Sequence, residues 1–128
     1  INAALEFLSG ILKKKAIVFL LSDFIDQNYE NTLRIAAKKH DLTGIRVYDA
    51  KEERLPNLGI LPMVDAETGR VQWVNTQSKK VRDRYEKNHL QQKAIFQDLF
   101  RKNGAGTISC RVDESYVKKL LNYFKARI

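Results

Sequence analysis

The chain contains little cysteine, histidine and proline, and no long apolar run. A single cysteine, Cys110, excludes an internal disulfide and a zinc site built from several thiolates. We expect Cys110 to be a buried, inert thiol in a reduced compartment. No apolar run approaches the roughly 20 residues that span a bilayer, and no signal peptide is visible. The sequence therefore predicts a cytoplasmic protein without a membrane segment.

Motifs for common enzyme chemistry are also missing. No glycine-rich phosphate loop follows a strand, and no nucleophile elbow surrounds a serine. The two histidines, His40 and His89, are far apart in sequence, at the end or on the surface of predicted helices. We expect both to be solvated side chains rather than bases or metal ligands. These absences point to a protein that is not an enzyme.

The net charge is +8, from 23 basic and 15 acidic residues. Such an excess favours nucleic acid, anionic lipid or an acidic partner. However, clusters such as residues 13–15 and 79–80 fall on predicted helix surfaces or near helix ends, where cations suit the helix dipole. No glycine-aromatic RNA-binding signature accompanies them. We therefore predict solubility with a bias towards an acidic partner, and no nucleic-acid binding.

The most informative feature that is present is the apolar run 16–21, which leads into Ser22, Asp23 and Asp26. An unbroken apolar run predicts a strand buried on both faces, as in a parallel sheet covered by helices. Ligands of open α/β sheets bind just beyond the carboxyl ends of such strands. Asp23 is therefore the best candidate for a functional residue.

Helical and strand-like segments alternate along the chain. Helical spacing predicts helices at 3–12, 29–39 and 78–102, and a last helix with the apolar stripe Val117, Leu120, Leu121 and Phe124. Strand patterns mark 45–49 and 106–111. Two further strand-like runs, 60–64 and 71–75, are predicted to form a hairpin. Residues 65–70 form its turn, in which Gly69 suits a positive φ, and 51–57 form a loop. The alternation predicts a three-layer α/β fold with a parallel sheet of about three core strands plus a β-hairpin.

Local signals refine this expectation. Asp26 or Asn28 is predicted to cap the second helix, and Asp113 the last one. The alternating strand 45–49 predicts one less buried face, as near a sheet edge. For Trp73, Tyr48 and Met63 we expect a role in the core or on a sheet face rather than at a partner surface.

Carboxylates near the first strand raise the possibility of a metal site. Asp23 and Asp26, with Ser22 and with Asp49 at the end of the neighbouring strand, could hold Mg²⁺, which prefers oxygen ligands. The alternative is that Asp26 caps the next helix and Asp23 accepts hydrogen bonds from loop amides. For Asp26 the capping role is favoured, and for Asp23 both roles remain open.

The strand end resembles a known superfamily. The stretch 18–24, Val-Phe-Leu-Leu-Ser-Asp-Phe, resembles the fourth strand of von Willebrand factor A-like domains. The run 61–69, Leu-Pro-Met-Val-Asp-Ala-Glu-Thr-Gly, followed by Trp-Val-Asn-Thr at 73–76, is similar to a bacterial branch of it. That branch is domain-of-unknown-function group 58, whose genes commonly neighbour MoxR-type AAA ATPases.

The resemblance implies a fold and a site. Residues 1–128 would be a single domain, the C-terminal half of a larger von Willebrand factor A-like (Rossmann-like) domain. The chain begins at Ile1, and we expect it to derive from a longer protein. The superfamily's metal-ion-dependent adhesion site uses three loops, of which only the third is present, with its aspartate at Asp23 and Phe24 in place of the usual glycine. The resemblance therefore implies no cofactor in this chain, and Mg²⁺ at Asp23 only in the full-length protein.

Two functions follow as hypotheses. The first is a non-enzymatic protein-interaction module that assists a MoxR-type AAA ATPase in protein assembly or remodelling, with Ser22, Phe24 and Asp26 as an interaction loop. The alternative is a small magnesium-dependent α/β enzyme or phosphoryl-binding domain that uses Asp23, Asp26 and Asp49. The superfamily's sheet order places strand 16–21 in mid-sheet, so we expect its exposed edge to make this chain a homodimer.

Overall fold

The computed structural model describes residues 1–64 and 68–127, which form a mixed α/β fold. In chain order the elements are α1 (Asn2–Ile11), β1 (Ile17–Ser22), α2 (Glu30–Lys39), β2 (Asp41–Tyr48), α3 (Ala50–Glu53), β3 (Ile60–Val64), β4 (Val71–Asn75), α4 (Lys79–Lys102), β5 (Gly106–Arg111) and α5 (Tyr116–Arg127). Every helix in the described part is too short or too polar to cross a bilayer.

Three strands form a parallel sheet in the order β1-β2-β5, as the alternation of helices and strands predicts. The expectation that residues 45–49 lie near a sheet edge is wrong, because β2 is the central strand. It also begins earlier, at Asp41, so Gly44 lies within the strand rather than in a helix-ending turn. Gly44 is required there since an added Cβ would stand 2.8 Å from Cζ of Phe100 and 2.9 Å from Cε1 of Phe96.

The hydrophobic core lies between one face of this sheet and the helices α1, α2 and α4. Its buried members are Leu5, Phe24, Tyr29, Leu33, Ala36, Leu42, Phe96 and Phe100. The ring centroids of Phe24 and Phe96 are 4.4 Å apart in a stacked pair, and Phe100 meets Phe24 edge-on at 5.2 Å. Side chains of α2 and α4 thus form much of this core.

The opposite face of the sheet is covered only in part. Helix α5 lies there, with the Tyr123 hydroxyl 2.9 Å from that of Thr43 and with Arg127 paired to Asp41. No described residue of α5 is buried, although its apolar stripe is the clearest in the sequence. On β1 the side chains of Ile17, Phe19 and Leu21 are exposed, whereas Val18 and Leu20 pack against the core. The expectation that β1 is buried on both faces is therefore wrong for this chain, because α5 leaves these three side chains exposed.

Some predicted helix ends are also wrong. The supposed loop 51–57 contains the short helix α3, because the carboxylate of Asp49 accepts a hydrogen bond from the backbone N–H of Lys51 at 2.9 Å. Neither Asp26 nor Asn28 caps α2, which begins after Tyr29 without a side-chain cap. Helix α5 begins at Tyr116, and the Asp113 carboxylate accepts instead from Nε of Arg111.

The hairpin β3–β4 is antiparallel, as predicted, and separate from the main sheet. Gly69 has the expected positive φ of 69°, and residues 65–67 of the predicted turn 65–70 lie outside the described residues. One face of the hairpin packs towards α4, where the Tyr85 hydroxyl is 3.5 Å from the sulfur of Met63. The other face is open, and Trp73 on it is 71% exposed. Tyr48, by contrast, is buried on the core face of β2.

Candidate functional site

A small pocket lies at the carboxyl edge of the parallel sheet, where α/β proteins bind ligands. It has a volume of about 250 Å³ and opens between the loop after β1, helix α3, the hairpin and the middle of α4. Its walls include Ile25, Arg46, Glu52, Met63, Tyr85 and His89. Most of this surface is apolar, with one buried guanidinium among it.

The loop predicted to carry function, residues 22–26, borders this edge. Asp23 is exposed, and its carboxylate accepts a hydrogen bond from the backbone N–H of Ile25 at 3.2 Å. Ser22 Oγ accepts likewise from the N–H of Phe24 at 3.1 Å. Phe24 adopts φ 55°, a left-handed conformation that favours glycine, and its ring is buried in the core. The loop is therefore held by bonds within itself and anchored by Phe24.

The three aspartates considered for Mg²⁺ each have separate hydrogen bonds. Asp26 accepts from the amino group of Ile1 and from the N–H of Gln27, both at 2.9 Å, and these bonds lower the pKa of Asp26. Asp49 caps α3. Among the described residues no three His, Cys, Asp or Glu side chains are grouped to hold a metal ion. The structure thus does not bring these aspartates together in one metal site. Metal binding at Asp23 stays a prediction for the full-length protein.

Arg46, which sequence reasoning missed, is the most unusual residue at this edge. It lies on the core face of β2, only 2% exposed, with its guanidinium carbon 5.3 Å from the centre of the Tyr48 ring. Its Nε and Nη1 are buried and have no hydrogen-bond partner. No carboxylate of the described residues lies within ion-pair distance of it. Burial lowers the pKa of Arg46, and the negative charges of Glu52 and Asp23 oppose this fall.

His89 lies beside Arg46 and is also buried, at 5% exposure. Its ring centre is 4.9 Å from that of Tyr48, and its Nδ1 has no hydrogen-bond partner. Burial, and then the charge of Arg46, lower the pKa of His89, which favours the neutral imidazole at pH 7. The expectation of two solvated histidines is wrong, because α4 turns His89 towards the sheet. His40 is also buried, and its Nδ1 accepts from the N–H of Ala16 at 3.0 Å.

Glu52 brings a carboxylate to the wall of the pocket. Burial raises its pKa, the charge of Arg46 opposes that rise, and Asp23 and Asp49 reinforce it. The carboxyl edge of the sheet therefore carries one buried cation, Arg46, and the described acidic groups that offset its charge lie beyond ion-pair distance.

One signal in the sequence could have revealed Arg46. In β2 it shares a face with Leu42, Gly44 and Tyr48, so a cation interrupts the core-facing positions. The alternation predicted one less buried face without identifying it. In the structure Arg46 and Tyr48 are buried, whereas Ile45 and Val47 on the other face are half-buried.

Comparisons with known proteins give a family but no described activity. Residues 1–95 match the family described as "Protein of unknown function DUF58". The chain is 26% identical over 125 residues to an uncharacterized protein of Mycobacterium avium, covering 97% of this chain and 73% of that protein. It is 25% identical to uncharacterized proteins of Mycobacterium bovis and Mycobacterium tuberculosis, of which it spans only 39%. No solved structure matches the chain.

Proposed function

Because this chain belongs to the family described as "Protein of unknown function DUF58", we propose that it is a non-enzymatic protein-interaction module. In this proposal it forms the C-terminal half of a von Willebrand factor A-like domain. Its partner is a MoxR-type AAA ATPase, which it assists in assembling or remodelling other proteins. The choice of partner rests on the resemblance of residues 18–24, 61–69 and 73–76 to the bacterial branch whose genes commonly neighbour MoxR-type AAA ATPases.

The outer face of the hairpin is the observation that carries this proposal. Register pairs Val64 with Val71 and Pro62 with Trp73, and Ile60 lies on the same face. Ile60, Val64, Val71 and Trp73 are all exposed. Contiguous exposed apolar patches mark interaction sites, and tryptophan is enriched among the residues that dominate binding energy. We call these four residues the hairpin patch.

The hairpin patch is presented on a rigid support. Thr76 directly follows β4, is fully buried, and its hydroxyl accepts from the N–H of Leu58 at 2.8 Å and donates to the carbonyl of Gly59. Arg82 on α4 donates to the carbonyls of Thr76 and Gln77. These bonds fix the base of the hairpin to the start of α4, so the patch is preorganised and less entropy is lost on binding.

The open side of the sheet supports the half-domain part of the proposal. The outer backbone edge of β1 is unpaired within the described chain, and Ile17, Phe19 and Leu21 are exposed beside it. A further strand on this edge and a helix over these side chains would complete a doubly covered sheet. Relatives of which this chain spans only 39% have the length for such additions. In this chain alone we expect the same edge to form a homodimer.

Binding to a purified MoxR-type ATPase from the same organism tests the proposal. Biolayer interferometry would compare the unmodified chain with Trp73→Ser and with a control, Ile35→Ser, which removes an exposed apolar side chain of α2, away from the hairpin patch. We expect Trp73→Ser to weaken binding at least about 30-fold, the loss typical of an interface hot spot. Ile35→Ser should bind like the unmodified chain. Equal binding by all three chains would refute the role of the hairpin patch in binding. If none of the three bound, the proposal that a MoxR-type ATPase is the partner would be refuted.

A further inference from the structure

We infer that the pocket beside Arg46 is a binding site for a single carboxylate group. This inference goes beyond the proposed function, because it depends on the pocket and not on the identity of the partner. The site consists of the Arg46 guanidinium, with His89 beside it, at the carboxyl edge of the sheet.

The starting observation is an uncompensated buried cation. Arg46 is 98% buried, and within the described part of the chain its Nε and Nη1 have no acceptor and no carboxylate lies within ion-pair distance. A buried charge without hydrogen bonds strongly destabilises a fold, and structures retain one where something neutralises it. The ring of Tyr48 contributes a cation–π contact at 5.3 Å but accepts none of these N–H groups.

A second, independent observation is that the cation borders open space. Arg46 and His89 both line the 250 Å³ pocket, and buried Nδ1 of His89 also has no partner. A neutral imidazole can place its proton on Nδ1 and donate it to an anion held by the guanidinium. Both side chains therefore border this space, and their three unpaired nitrogens, Nε and Nη1 of Arg46 and Nδ1 of His89, have no acceptor among the described residues.

The surroundings select a carboxylate over a phosphate. A guanidinium holds a carboxylate through two parallel hydrogen bonds. Lys51 adds a second positive charge to the pocket wall, and Glu52 in the same wall offsets it. Ile25 and Met63 give the walls an apolar character that suits the carbon atoms attached to such a group. Glu52 in the wall and Asp23 nearby add negative charge, which would repel a doubly charged phosphate.

Glu52 also makes the inference sharply testable. Its carboxylate lies at the pocket and competes electrostatically for Arg46. Glu52→Gln keeps the size of this side chain and removes its charge. It should therefore tighten binding of an external carboxylate, which a structural role of Arg46 alone would not produce.

Nuclear magnetic resonance of the ¹⁵N-labelled chain provides the test, with the Arg46 Nε–H signal as reporter and sodium acetate as probe. Sodium chloride at equal ionic strength is the control for unspecific salt effects. We expect a saturable shift with a dissociation constant on the order of 1 mM, as suits a four-atom ligand. Glu52→Gln should tighten binding several-fold, whereas Glu30→Gln should not, because Glu30 pairs with Lys102 outside this pocket.

Variants of Arg46 complete the design. Arg46→Lys keeps the positive charge, which favours folding, but lysine lacks the planar fork of a guanidinium. It should therefore weaken acetate binding at least tenfold. Backbone amide signals around the pocket report on binding in this variant. No saturable shift beyond that of chloride, or unchanged acetate binding in both Glu52→Gln and Arg46→Lys, would overturn the inference. Tighter binding of sodium phosphate than of acetate would overturn the choice of a carboxylate.

Two further probes distinguish the source of the carboxylate. A short blocked peptide with a single glutamate is compared with acetate and with the same peptide carrying glutamine. Binding of the glutamate peptide at least tenfold tighter than acetate assigns the site to an acidic side chain of a protein. Equal or weaker binding of that peptide assigns it to a free small carboxylate.

Discussion

Replacing Gly44 by alanine should destabilise the fold strongly, although it adds only one methyl group. Gly44 lies in the middle of the central strand β2, beneath α4. The new Cβ would stand 2.8 Å from Cζ of Phe100 and 2.9 Å from Cε1 of Phe96, well inside van der Waals contact. Both rings are almost completely buried, and their centres are only 4.8 Å apart. Both rings also pack against Phe24, with centres 4.4 and 5.2 Å from its ring centre.

The magnitude follows from two opposing effects. Overpacking a tight core costs about 1–3 kcal/mol, and two immobile rings place this site at the upper end. Alanine also restricts the unfolded chain, which returns about 0.4–1 kcal/mol. We therefore expect the free energy of unfolding to fall by roughly 2–3 kcal/mol. The melting temperature should fall by about 6–12 °C, since each kcal/mol shifts it by roughly 3–4 °C in a domain of this size.

Urea unfolding followed by circular dichroism measures this effect. The matched control is Gly10→Ala in helix α1, where an added Cβ has no neighbour within 4 Å. The control should be neutral or stabilising by up to about 1 kcal/mol, because alanine favours a helix. In the double variant Gly44→Ala with Phe100→Leu, the smaller side chain should make the glycine substitution less costly than it is alone. A Gly44→Ala chain as stable as the unmodified one would refute this account of the core.

Three other side chains give further tests. Thr76→Val should lower the free energy of unfolding by about 1–3 kcal/mol in urea titrations, because the N–H of Leu58 loses its acceptor, whereas Thr76→Ser should stay within about 1 kcal/mol of the unmodified chain. Burial raises the pKa of Tyr29 to about 12; since the unfolded side chain ionises near pH 10, its stabilisation should be complete below pH 10 and be lost between pH 10 and 12. The free energy of unfolding, measured in urea at pH 9 and pH 11, should fall less between these two pH values in Tyr29→Phe than in the unmodified chain. An equal fall in both chains would contradict the raised pKa of Tyr29. Cys110 is buried, so a thiol reagent should label it far more slowly in the native chain than in urea, and equal rates would show that the face under α5 is open.

The sequence predicts those parts of the fold whose signals are local. The hairpin follows from two short β-rich runs around Gly69, and the long helix α4 follows from its apolar spacing. The structure adds that Ser78 caps this helix. The start of β2 could not be predicted, because Asp41 and Gly44 resemble helix-ending residues. They belong to a strand since rings from α4, more than 50 positions later, pack against Gly44.

The sequence predicted where the candidate site lies, but not which residues form it. Strand β1 does bring Asp23 to the carboxyl edge of the sheet, as its apolar run suggested. However, Asp23 bonds to its own loop, and the unusual chemistry there belongs to Arg46 and His89. Their burial depends on how α4 crosses the sheet, which no local pattern reveals. A charged residue at a core-facing strand position is the signal to look for.

The order of the strands also affects how the chain acquires its structure. Strand β2 pairs on one side with β1, which precedes it closely, but on the other side with β5, whose pairing joins Thr43 to Gly106. Such distant contacts must close a long loop before they yield any energy, and they slow folding. During synthesis on the ribosome, the edge of β2 that pairs with β5 would stay unpaired until β5 had emerged. We expect this stage, rather than the formation of α4 or of the hairpin, to limit the refolding rate.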